Sequence, residues 1–236
     1  MTNPEKIQEN KYEEYSEEKI KASVNGIYNR FVKRIIDLVI ALCLGILLIP
    51  FYIVISVIIV IDDGFPILYR AKRGGYHNTV FKICKFRTMV KNADKIGGAT
   101  TGLNDKRITK SGAFLRKSKF DETAQLLNII KGDMSFIGPR PEALQYVERF
   151  KGLEKYILEV RPGITDYSSL KFINLDEIVG SENVDEVFET KVLGKKNILR
   201  VKYVSEISFT TDVKIFFSTI KGVLKKIMRT LSRTQK

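Results

Sequence analysis

The stretch IIDLVIALCLGILLIPFYIVISVIIVI, Ile35–Ile61, runs for 27 residues with a single charge, Asp37. It begins too late and runs too long for a secretory signal peptide. As one straight helix it would reach roughly 40 Å, against a hydrocarbon core of about 30 Å. Pro50 falls near its middle, where it removes a backbone donor and frees the carbonyl of Ile46. Each half would then reach only about half-way through a bilayer. Basic residues stand on both flanks: Lys19, Lys21, Arg30, Lys33 and Arg34 before, Arg70, Lys72, Arg73 and Lys82 after. That symmetry gives no clean crossing by the positive-inside rule. A re-entrant helix-break-helix, entering and leaving by the cytoplasmic face, satisfies both flanks; a single spanning anchor kinked at Pro50 stays open. Asp37 lies one turn after Lys33 and Arg34, so the three are expected to neutralise one another at the interface.

The charge outside this run is strongly positive. The 236-residue chain carries +13 with pI near 9.6. Residues 1–30 hold five Lys/Arg against six Glu, so the remainder carries +14. Such a surface suits anionic lipid, nucleic acid or a phosphorylated substrate, and composition does not choose among them. Two cysteines, Cys43 and Cys84, argue against a disulfide framework and for a reducing compartment. One histidine, His77, argues against a histidine-rich metal site and reads as ordinary surface.

The organisation follows from these shifts in composition. Residues 1–29 read as a mobile or loosely helical charged arm, 30–62 as the membrane-embedded segment, and 63–236 as a cytoplasmic catalytic domain. Within the last, Ile67–Tyr69 and Thr79–Met89 form a hairpin turned at Gly74-Gly75, and 91–109 is a loop. Helices are expected over Ser111–Lys117, from Asp121 to about Ile130, and from the Pro139–Pro141 turn through Phe150. Arg161-Pro162-Gly163 marks a tight connection. Residues 174–197 read as a helical, charged surface region. At the C-terminus, Val213, Phe216, Phe217, Ile220, Leu224, Ile227 and Leu231 make an apolar stripe opposite Lys214, Lys221, Lys225 and Arg229. That pattern serves equally an interfacial helix or a core helix with a solvated basic face. The fold class is mixed α/β, mainly helical.

The chemistry concentrates between Arg116 and Pro141. Adjacent carboxylates, Asp121 and Glu122, open an apolar helix, and Gly138-Pro139-Arg140-Pro141 follows. One carboxylate can attack phosphorus while the other holds a divalent cation, and arginine forks neutralise phosphate oxygens. The bland alternative makes Asp121 a helix N-cap and Glu122 a first-turn carboxylate facing the helix dipole. Arg73-Gly74-Gly75 is a lone RGG without an aromatic RNA-binding pair, so nucleic acid is not expected. Asp133 reads as a brace for the turn after Gly132.

In order along the chain, the motifs resemble the bacterial sugar transferases of the small monotopic polyprenyl-phosphate phosphoglycosyl transferase type. The resemblance runs from about Arg30 to about Lys226. It rests on Lys33-Arg34 and Asp37 leading the re-entrant helix with Pro50, on Lys85-Phe86-Arg87-Thr88-Met89, and on Asp121-Glu122 with Leu127-Asn128. Lys131-Gly132-Asp133-Met134-Ser135, Gly138–Pro141 and Arg161–Thr165 complete it. The resemblance implies transfer of a sugar phosphate from a UDP-sugar to a polyprenyl phosphate at the cytoplasmic face of the bacterial inner membrane, with release of UMP. It implies Asp121 as nucleophile and Glu122 as ligand of Mg²⁺. Arg116 and Arg140 are the first choices for phosphate binding, with Arg73, Lys85 and Arg161 behind them. A homodimer is left open.

The chain departs from the family in places. Ile49 stands before the proline where serine is common, Gly74 follows Arg73 where many members have proline, and Asp166-Tyr167 follow Thr165 where small members carry Gly-Trp. Ile173 stands where the branch continuing Ser-Ser-Leu-Lys-Phe usually has arginine. Substrate preference is therefore not carried over. Two rival readings remain: a membrane-tethered basic binding protein, and a catalytically inactive scaffold of a glycan-assembly complex.

Overall fold

A computed structural model describes residues 12–98 and 100–234. The apolar run is two helices, α2 (Lys33–Leu47) and α3 (Ile49–Asp63), the first continued backwards by a π-turn over Tyr28–Val32. They are bent by 62°. Pro50 sits at the start of α3, where its missing N–H costs nothing within that helix. The bend forms with Ile49 in the place where relatives of this type commonly have serine. Among the described residues no single helix is long and apolar enough to cross a membrane; the bent pair is the one candidate. Ala41, Ile55 and Ile59 turn inward, while Ile35, Val39, Ile46, Phe51, Ile53 and Ile61 are exposed. An exposed apolar face of that extent is of the kind that marks an interaction surface.

The expected neutral trio at the start of this pair is not what forms. Lys33 pairs instead with Asp212, which also accepts from Tyr28 Oη at 2.7 Å and Tyr203 Oη at 2.8 Å. Arg34 donates to the carbonyls of Ile129 and Ile130. Asp37 Oδ1 accepts from the Phe136 amide at 3.2 Å. Each of the three finds a buried tertiary partner, which outweighs mutual pairing on one exposed helical face.

Of the charged arm, residues 1–11 lie outside the described residues. Glu17–Asn25 is a helix, α1, with Ile20 and Val24 buried against Val201, Val204 and Ile157. Two apolar residues four apart suffice to seat it.

The hairpin forms as expected, β1 (Leu68–Gly74) antiparallel to β2 (Val80–Phe86), in the register Leu68↔Phe86 to Gly74↔Val80. Helix α4 (Lys110–Ser118) follows the loop, N-capped by Thr109. A second, unanticipated sheet pairs β3 (Ser135–Ile137) in parallel with β4 (Gly163–Thr165). It brings the Gly-Pro-Arg-Pro turn against Arg161–Thr165. Gly138 and Gly163 touch there; a Cβ on Gly163 would collide with the Gly138 backbone, and one on Gly138 with the Arg161 carbonyl. No other residue fits at these two positions.

Past this turn the helix is only Leu144–Val147, succeeded by a 3₁₀ run over Gly152–Glu159. The 174–197 region is helical but only partly surface. Phe188 and Val192 pack on Tyr146 and Val179, and Lys196 is buried. It leads into α6 (Gly194–Ser205), whose Val201, Tyr203 and Val204 are wholly buried. The last helix, α7 (Phe209–Thr234), seats Asp212 and Ile215 in the core and leaves Phe216, Phe217, Ile220 and Leu224 exposed. From Phe216 to Leu224 the stripe is thus not core packing, and the helix is held along its length by Thr219 Oγ1, 3.0 Å from Thr165 Oγ1, and by Lys226 Nζ, which donates to the Ile173 carbonyl at 2.9 Å.

Candidate active site

The acid pair does not begin an α-helix. Lys119 takes a left-handed conformation (φ +62°), a 3₁₀ segment covers Phe120–Gln125, and only then does α5 (Leu126–Lys131) start. Asp121 caps nothing: its Oδ1 is buried and has no hydrogen-bond partner. The helix-cap reading therefore fails on geometry. The tight segment is bound at both ends, by Thr123 Oγ1 to the Phe120 carbonyl at 2.7 Å and by Asn128. Asn128 accepts from the Cys84 amide at 2.8 Å and donates to the Lys82 carbonyl at 2.8 Å, stitching α5 to β2. It also donates to Asp133 Oδ2 at 3.3 Å, which braces the turn as expected.

Glu122 is held from two sides. Arg140 spans it, Nη1 3.1 Å from Oε2 and Nη2 against Oε1, and Lys85 Nζ lies 3.0 Å from Oε1. Arg140 is aimed by the β4 edge, donating Nη1 to the Ile164 carbonyl at 2.8 Å, and by its amide's 3.3 Å bond to Asp166. Asp166 is itself fixed as the N-cap of Tyr167–Lys171, accepting from the Ser169 amide at 2.7 Å. The β3–β4 pairing thus explains why the two glycine-containing motifs occur together: one supplies the arginine and the other its support.

The two carboxylates are driven apart electrostatically. Burial pushes the Asp121 carboxyl up, Glu122 adds to it, and Lys85, Lys119 and Arg116 only partly oppose. Burial also works against ionised Glu122, but Arg140, Lys85 and Lys119 outweigh it and hold Glu122 well below the usual range. Burial in turn lowers Lys85, opposed by Glu122. A fully neutralised anion beside a carboxyl with an unpartnered oxygen is an asymmetric dyad, with distinct roles for its members.

Of the other expected phosphate ligands, Arg116 lies in the field of Asp121 and donates Nε to Thr88 Oγ1 at 2.8 Å. Arg73 and Arg161 make no bond to the dyad. Arg73 Nη1 donates to the neighbouring Lys72 carbonyl at 2.9 Å, while Arg161 reaches the Gly132 carbonyl at 3.2 Å and stacks 4.8 Å over Tyr76. Sequence reasoning passed over Lys119, which bears on both carboxylates; its place two residues before Asp121 was the available signal.

The resemblance drawn from the sequence motifs implies a hard divalent cation at this site. Among the described residues no three His, Cys, Asp or Glu side chains gather to hold a metal. Mg²⁺ commonly takes one or two carboxylates and completes its shell with substrate phosphates and water. Glu122 Oε2 accepts one hydrogen bond, from Arg140, and keeps a second lone pair. The dyad therefore fits Mg²⁺ that arrives with a diphosphate.

A family model described as bacterial sugar transferase matches residues 28–226. The chain is 34% identical over 203 residues to the UDP-glucose:undecaprenyl-phosphate glucose-1-phosphate transferase of Escherichia coli (strain K12), covering 84% of this chain and 41% of that one. It is 35% identical over 213 residues to the UDP-galactose-lipid carrier transferase of Erwinia amylovora, again 84% and 41%. The exopolysaccharide production protein ExoY of Sinorhizobium fredii is 33% identical over 206 residues, covering 81% of this chain and 84% of its own. The chain belongs to the bacterial sugar transferase family. It spans about two fifths of the length of the first two relatives.

Proposed function

We propose that the protein transfers a sugar 1-phosphate from a UDP-sugar to undecaprenyl phosphate, releasing UMP, at the cytoplasmic face of a bacterial plasma membrane. The names of the relatives support the donor and acceptor classes. The observation that carries the reading is the asymmetric dyad: Glu122 clamped by Arg140 and Lys85, Asp121 beside it with a bare oxygen. The bent apolar pair supports a monotopic, re-entrant attachment, and the exposed stripe of α7 supports contact with the interface.

In this account an ionised Asp121 oxygen attacks the sugar-proximal phosphorus. A phosphorus–aspartyl oxygen bond forms, and the bond to the UMP oxygen breaks, UMP leaving with the electron pair. A phosphate oxygen of the lipid then attacks the same phosphorus, the aspartyl bond breaks, and Asp121 is restored as carboxylate. Arg140, Lys85 and Arg116 lower the repulsion between a carboxylate nucleophile and an anionic diphosphate. Mg²⁺ held by Glu122 would supply further neutralisation of the diphosphate.

Release of UMP from a panel of UDP-sugars, with undecaprenyl phosphate and Mg²⁺, tests the proposal. Lipid-dependent UMP from at least one donor is expected, and none in Asp121→Asn. UMP formation that persists in that variant, or nucleic-acid binding without any turnover, would overturn it.

A further inference from the structure

Beside the dyad lies a groove of about 590 Å³. Its lining includes Tyr52 and Ser56 of α3, Leu68 and Arg70 of β1, Phe86 of β2, Ala124 of the 3₁₀ segment and Leu127 of α5. The size falls in the range of small-ligand sites. The polar atoms of the α3 wall are already spent on the protein. Ser56 Oγ donates to the Tyr52 carbonyl at 2.6 Å, and Tyr52 Oη donates to the Thr123 carbonyl at 3.0 Å, one residue from Glu122. What remains toward the groove is hydrocarbon. Among its lining residues Arg70 alone is charged; it is exposed, with no hydrogen bond or ion pair among the described residues. It pairs across the hairpin with Cys84 and so shares the face of Leu68 and Phe86 that lines the groove, while Lys85 of the glutamate clamp points to the other face.

The same helix that walls the groove carries Ile53, Val57 and Ile61 on its exposed surface. The apolar lining thus runs from the exposed helix pair to Ala124, which stands one 3₁₀ turn after Asp121. A long hydrocarbon with a single anionic end matches that combination; a nucleotide does not, since it would lay polar edges on an apolar wall. We propose that this groove holds the dyad-proximal isoprenoid units of the acceptor lipid, with Arg70 as a cation for its phosphate. The proposal rests on the function proposed above and adds where the lipid lies. The remainder of the chain stays in the bilayer.

Ser56→Phe fills the groove from a position whose hydroxyl bonds only its own helix; Ile53→Phe adds the same bulk on the exposed side. The KM for undecaprenyl phosphate is expected to rise at least tenfold in Ser56→Phe and several-fold in Arg70→Gln, with the UDP-sugar KM within twofold. Ile53→Phe is expected to match wild type. An unchanged acceptor KM in Ser56→Phe, or equal rises in both substrates, would overturn the groove. A second arm needs neither turnover nor a variant. Wild-type protein is photolabelled with a polyprenyl phosphate bearing a diazirine near its phosphate, and the adducts are mapped by peptide mass spectrometry. Adducts within 49–63 and 120–131, competed by undecaprenyl phosphate but not by phosphatidylglycerol, support the site. Adducts confined to α7, or equal competition by phosphatidylglycerol, count against it. If no donor gives turnover, the reaction falls and this labelling alone decides the groove.

Discussion

Arg140 straddles Glu122, one guanidinium nitrogen on each carboxylate oxygen, while the Ile164 carbonyl holds the guanidinium from behind. Lysine keeps the charge but not the fork. Arg140→Lys is expected to lower kcat on the order of 10²-fold, the usual cost of losing one preorganised charge-stabilising donor. Lipid-dependent UMP release measures it, and activity within threefold of wild type would make Arg140 a structural brace.

Arg34 ties the membrane pair to the dyad helix through two carbonyls at the end of α5. They lie in the last turn of α5, which ends at Gly132 with φ of +98°, and the Ile129 carbonyl also accepts from the Gly132 amide at 3.0 Å. Arg34→Met is expected to cost about 1–3 kcal/mol, the range for hydrogen bonds from a charged group. Thermal unfolding in detergent reads the loss, and a fall in kcat should accompany it because α5 carries the dyad segment.

Glu142 follows the Gly-Pro-Arg-Pro turn and pairs with Lys196 at 3.2 Å and with the fully buried Arg200. Burial pushes its carboxyl up, but Lys196 and Arg200 overcome this and lower it to about 2. Its folded value lies below its unfolded one, so the stability it lends is fully present above about pH 4.5. That stability, about 3 kcal/mol, is lost as pH falls toward 2. Thermal midpoints measured from pH 7 down to 3 should fall more steeply in wild type than in Glu142→Gln, which starts lower because it strands two buried cations.

Much of this arrangement is legible in the chain. The break at Pro50, the hairpin, the acid pair and Arg140 all follow from local rules: a missing donor, a Gly-Gly turn, charges beside an apolar run. What local rules do not carry is partnership across the chain. Lys33, Arg34 and Asp37 look like a self-contained trio, yet their partners are 179, 95 and 99 residues away. The β3–β4 pairing is equally hidden, because three-residue strands have no periodicity to read. The 3₁₀ start of the dyad segment is set by Lys119 at positive φ, a conformation that lysine seldom signals. Charge alone marks Arg73 and Arg161 as phosphate ligands; that they rest on the Lys72 and Gly132 carbonyls, Arg161 beside the Tyr76 ring, depends on packing that local rules do not carry.

With Glu122 already neutralised by two cations, a third is favoured only when the diphosphate supplies more negative charge. Mg²⁺ should therefore bind weakly to the free protein and more tightly with UDP-sugar present. Titration calorimetry with each in turn checks this. EDTA is expected to abolish turnover while leaving the thermal midpoint of the free protein unchanged.

The central claim is that Asp121 itself carries the sugar phosphate between the two substrates. Burial raises its carboxyl, so folding works against its charge, and Asp121→Asn should keep or raise the thermal midpoint at pH 7. Intact-mass measurement after incubation with UDP-sugar and Mg²⁺, without lipid, tests the claim most directly. The account predicts a phosphosugar adduct on the peptide containing Asp121, absent in Asp121→Asn and discharged by undecaprenyl phosphate. Turnover with no adduct at any time, or an adduct that survives in the variant, would contradict it.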